Sequence, residues 1–167
     1  LHHLQHRGFV PFMVQNFDLW VVVDGLSLNG GSTRWCNALN ELPCHSTDGT
    51  VEMMRQVAAS NAHVQFAECN HKYPSKDVQV NKAVEMIRSK YKSGWLWQVD
   101  ADEHWTAEKL SQAESLLERS PMKEAEFRFN HYVGDNLIAT GGWGSNHMTR
   151  LFKWSGGRFI SHEPARI

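Results

Sequence analysis

From residue 20 to residue 118, short apolar runs of strand length alternate with stretches of helical period, and this constrains the fold more than any other feature. Trp20-Val21-Val22-Val23-Asp24 is a β-branched run closed by Gly25, the pattern of a buried strand ending in a turn. Residues 64–67 and 95–99 make a second and a third strand. Between the first two, Thr50 stands as the N-cap of a helix that carries Val51, Met54, Val57 and Ala58 on one face. Val80, Val84, Ile87 and Tyr91 recur at i, i+4, i+7 and i+11, so residues 76–91 form an amphipathic helix, with Gly94 beyond its end. Thr106 caps another, with Leu110, Ala113 and Leu117 on one face and Pro121 past its end. Residues 126–133 and 147–154 read as strands with no helix between them. The expected class is α/β: a mostly parallel sheet flanked by helices, with a mixed edge from the C-terminal strands. The 167 residues are the size of one domain, with residues 26–45 a long loop.

Composition narrows the function classes. A formal charge of −1 gives no basic surface for nucleic acid or anionic lipid. No apolar run approaches the ~20 residues a membrane span needs, and the first six residues lack the apolar stretch of a signal peptide. A cytoplasmic protein is expected. Cys36, Cys44 and Cys69 form an odd set without a CxxC pair, which favours reduced thiols, with a Cys36–Cys44 bridge as the alternative. Seven Trp suit large core positions first and sugar stacking second.

The residues richest in chemistry follow the third strand: Trp97-Gln98-Val99-Asp100-Ala101-Asp102-Glu103. Ligands of open α/β sheets bind beyond the carboxyl ends of strands, where these acids fall. Carboxylates this close repel one another unless a cation or hydrogen bonds offset the charge. A hard divalent ion, Mg²⁺ or Mn²⁺, is the natural partner for oxygen ligands, and it can neutralise a diphosphate as a sugar departs. A solvated acidic loop leading into a helix is the plainer alternative.

Val21-Val22-Val23-Asp24-Gly25, then Ser46-Thr47-Asp48-Gly49-Thr50, then Val99-Asp100-Ala101-Asp102-Glu103 resemble, in order, the signatures of family 2 glycosyltransferases. Asn81 resembles the Asn of that family's "RNxAL". Thr149-Arg150-Leu151-Phe152-Lys153 with Ser161-His162-Glu163 resembles the "RLFR…HE" ending of bacterial members. The resemblance implies a Rossmann-like GT-A fold, a nucleotide-diphosphate sugar donor (UDP-sugar first), and a glycan, lipid-linked or small-molecule acceptor. It implies Asp24, Asp48, Asn81 and Asp100 at the donor, Mn²⁺ or Mg²⁺ on the DXD acids Asp100 and Asp102 with His162, and Asp102 and Glu163 in catalysis. Glu163 is the expected base of an inverting displacement.

The sequence departs from the family in two places. About twenty residues separate Gly25 from Ser46, where the family's signature is contiguous. The family's first strand should precede Trp20, yet residues 1–17 read as the helix after it. A gap beside residues 20–24, or residues 9–14 filling it, is therefore expected. The competing readings are a sugar-phosphate nucleotidyltransferase, which usually opens on a Gly-rich basic loop, and a non-catalytic carbohydrate-binding module. The latter leaves Asp100, Asp102 and Glu103 unused.

Overall fold

The structure, a computed structural model, describes residues 8–29, 41–138, 140–141, 146–162 and 165–167. Its described residues form an α/β protein with four helices and several small sheets. In chain order these are α1 (Phe9–Asn16), β1 (Trp20–Val23), α2 (Thr50–Ser60), β2 (Val64–Ala67), α3 (Lys76–Lys90), β3 (Gly94–Trp97) and α4 (Ala107–Glu118). Then come β4 (Glu124–Arg128), β5 (Tyr132–Val133), β6 (Asn136–Leu137), β7 (His147–Trp154), β8 (Ser161–His162) and β9 (Ala165–Arg166).

Local chemistry sets the helix starts. Ser75 and Thr106 are N-caps whose hydroxyls accept from the backbone N–H three residues on, at Val78 and Lys109. Thr50 is the first residue of α2 rather than its expected N-cap; Gly49 holds the cap position, and the side chain that accepts at this start is Asp48, from Thr50 N–H at 3.1 Å. The apolar faces of α1, α2 and α3 find strands. Phe9 and Met13 of α1, Met54 of α2, Trp20 of β1 and Val64 of β2 form one core cluster. Val84 of α3, Leu96 of β3, Phe152 and Trp154 of β7, and Phe159 form a second. Burying each such side chain contributes roughly 1.5–3 kcal/mol.

The expected mostly parallel sheet is not what these strands make. β1 and β2 pair in parallel, with Trp20 opposite Val64. The larger sheet, β3-β7-β4, is antiparallel throughout, and β5–β6 and β8–β9 are antiparallel pairs. The physical reason lies in the connections. A helix after β1 returns the chain for a parallel β2, whereas no helix is described between β4 and β7, so the longest strand runs back against both of its neighbours. Residues 126–133, expected as one strand, divide at Arg128, after a register shift between Ala125 and Glu126.

Between the two sheets lies a cleft of about 760 Å³, lined by Val21 and Val23 on one side and Trp95 and Trp97 on the other. Trp20 and Asp24 N–H donate to His63 and Ala67 carbonyls on the β2 side, each at 3.0 Å. In a parallel ladder the alternate residues Val21 and Val23 then turn their amide groups away, toward the cleft. Gln98 N–H donates to the Arg150 carbonyl at 2.7 Å, so by the same alternation Trp95 and Trp97 present theirs. Two strand edges thus face each other across the cleft, and among the described residues no strand pairs with either. Among the described residues the edge of residues 20–24 on this side is open. Residues 9–14 do not fill it, because they belong to α1. Among the described residues no helix is long and apolar enough to cross a membrane.

Candidate functional site

The described ends of the stretch between Gly25 and Ser46 meet. Leu26 N–H donates to the Cys44 carbonyl at 2.8 Å. Ser46 then donates its backbone N–H to Asp24 Oδ2 at 3.0 Å and its hydroxyl to Asp24 Oδ1 at 2.5 Å. Bonds to an ionised acceptor are about twice as strong as neutral ones, so Asp24 fastens the loop end to β1. Gly25 is required between them. Its φ is +150°, and a Cβ there would stand 2.6 Å from Tyr73 Cε2 and 2.9 Å from Cys69 Cβ. Behind it, the buried Gln79 accepts from the Ser27 hydroxyl at 2.8 Å and donates to the Gly25 carbonyl at 2.9 Å. Gln79 was not singled out from the sequence, because a polar residue next to an apolar helical stripe carries no sign of burial.

A second cluster follows β3. Arg150, which falls in the expected strand 147–154, is 6% exposed. Its guanidinium donates to Asp100 Oδ2 at 2.7 Å and is ion-paired with Glu103. Glu103 also accepts from Trp105 Nε1 at 3.0 Å. Trp105 packs on Trp97, Phe127 and Phe129, and Arg150 lies over the Phe129 ring. The repulsion among the neighbouring acids is therefore offset by Arg150 for Asp100 and Glu103. Asp102 is exposed, and among the described residues it has no hydrogen bond or ion pair. No protein-family model, curated protein or solved structure matches this chain.

Among the described residues no three His, Cys, Asp or Glu side chains are grouped to hold a metal ion. Asp102 and the Asp100 oxygen that Arg150 does not take remain open to a ligand. The side chain of His162, and Glu163 altogether, lie outside the described residues, as do Cys36 and the Gly142-Trp143-Gly144 segment. Asn81 bonds to neither cluster. Its side chain donates to the Phe159 carbonyl at 3.0 Å and accepts from Phe159 N–H at 2.8 Å, so it clamps α3 to the chain before β8. Asp48 sits at the start of α2, and Asn130 and Asp135 are exposed beside the β5–β6 hairpin.

Burial pushes Glu103 up to about 7 from an ordinary 4.5, and nearby Asp100 adds to the rise against the opposing pull of Arg150 and Trp105. The consequence for stability has a definite sign. Below pH 4.5 the carboxyl is protonated in both folded and unfolded chains. As pH rises the unfolded carboxyl ionises first, so stability is lost until the folded one ionises near 7. The loss amounts to about 3 kcal/mol. Glu103→Gln is expected to remove it: the gap in urea-derived stability between the variant and the parent protein should widen from pH 4.5 to pH 7 and then level off. A gap independent of pH would show that burial does not govern this carboxyl.

Proposed function

We propose that this chain is a glycosyltransferase domain that moves a sugar from a nucleotide-diphosphate donor to an acceptor hydroxyl. The observation that carries the reading is the Asp24–Ser46 contact. Two halves of a family 2 signature, about twenty residues apart in sequence, meet through two hydrogen bonds. The signature's order along the chain and the acids after β3 support it further. In this reading the layout is of the GT-A type, and β1 and β3 belong to one Rossmann-like sheet interrupted at the cleft.

The residues divide the work as follows. Asp24 keeps a second lone pair on each oxygen and accepts from donors of the base or ribose, with Asp48 at the following turn. Asp102 and the open oxygen of Asp100, completed by His162, would hold Mn²⁺ or Mg²⁺, which neutralises diphosphate charge when bound. Arg150 orients Asp100 rather than meeting the donor phosphates. Glu163 takes the proton of the acceptor hydroxyl in an inverting displacement.

A nucleotide panel tests this. UDP or GDP with Mn²⁺, at about 100 times its Kd, should raise the melting temperature by roughly 5–10 °C. EDTA should remove the rise, and Asp102→Asn should lose its metal-dependent part while folding normally. A panel in which no nucleotide shifts the melting temperature would refute the reading.

A further inference from the structure

We propose that Cys44 and Cys69 are a disulfide-forming pair that locks the loop carrying Ser46 onto the end of β1. The two residues lie 25 positions apart, but the Cys44 thiol donates to the Cys69 carbonyl at 3.2 Å, which brings its sulfur beside Cys69. The backbone beyond β1 holds Cys44 in turn: Leu26 N–H donates to the Cys44 carbonyl at 2.8 Å. Cys69 is held from the other side as well, its thiol donating to the His71 carbonyl at 2.6 Å and its Cβ packed against Gly25. Both thiols are free in the structure. Cys36 makes three pairings possible in the sequence, and among the described residues the pair in contact is Cys44 and Cys69.

The surroundings also order the chemistry. Cys69 is 3% exposed, and burial pushes its thiol up, whereas Cys44 is half-buried and reachable. The oxidant is a small disulfide such as oxidised glutathione. The Cys44 thiolate attacks one of its sulfurs, forming a mixed disulfide and releasing one glutathione thiolate. Cys69 gives up its proton to that thiolate and attacks the Cys44 sulfur, releasing the second glutathione. One disulfide is consumed and one is formed, and glutathione is the species reduced. Since Ser46 is two residues from Cys44 and donates twice to Asp24, the crosslink prevents this junction from lifting, whichever ligand Asp24 takes.

The reduced protein should be incubated natively with oxidised glutathione, quenched with acid, and mapped by peptide mass. The expected product has lost two hydrogens, joins Cys44 to Cys69, and forms equally in Cys36→Ser. Its melting temperature should rise on the order of 5–10 °C, with slower amide exchange at Ser46. A glutathione adduct that persists on Cys44, or a crosslink that maps to Cys36, would overturn the proposal. Because Cys36→Ser leaves both proposed partners intact, loss of the crosslink in that variant would overturn it too.

Discussion

Arg150→Met is expected to lower stability by about 3–5 kcal/mol at about pH 9, above the value near 7 at which Glu103 ionises in the parent, because it leaves a buried carboxylate without its cation. Arg150 is 6% exposed, and the Glu103 side chain it pairs with is 7% exposed. Water cannot take over the guanidinium's role there, and Trp105 offers Glu103 one neutral donor. The double variant Arg150→Met, Glu103→Gln should recover most of the loss, since replacing both members of a buried pair by neutral groups is often nearly neutral. Urea denaturation of the parent, both single variants and the double variant measures this cycle. A single-variant loss under about 1 kcal/mol would mean that the ion pair is no better than a surface one.

The same pair shows where the sequence stops being informative. Helix-period stripes and capping residues identify α3 and α4, because both are local properties: Val80, Val84 and Ile87 pack where the period puts them, and Ser75 and Thr106 sit at the starts. The fate of Asp100, Asp102 and Glu103 is not local. Their mutual repulsion is legible, but its main remedy comes from a residue about fifty positions away on β7. In sequence, Arg150 has the alternation of a strand with one wet face. Sheet pairing fails for the same reason. Alternating strands and helices imply parallel neighbours, yet β3 takes β7 beside it, and nothing in either run announces that partner. The Asp24–Ser46 contact lies between these cases. Each half of the signature is readable alone, and the fold supplies the closure that joins them.

Hydrogen-bond direction in β1 yields the second large effect. Val22→Pro should cost about 1–3 kcal/mol more than Val21→Pro, although the two positions are adjacent and both carry valine. Val22 pairs with Phe66 in the parallel ladder, and the bonds of Trp20 and Asp24 to the β2 side put the Val22 N–H on that side too. Proline at 22 deletes this ladder bond and strands its carbonyl partner, and it also disturbs a side chain packed on the first core cluster. The Val21 N–H instead faces the cleft, where no described strand receives it, so proline at 21 removes a donor that makes no ladder bond. An open edge of this kind is also a template for pairing with another chain, and proline is a natural way to blunt it. Val21→Pro should therefore reduce concentration-dependent self-association while leaving the melting temperature nearly unchanged. Thermal denaturation and light scattering across a dilution series measure both effects. If the two prolines prove equally costly, the Val21 edge is already paired in solution, and the cleft between β1 and β3 is occupied by a strand.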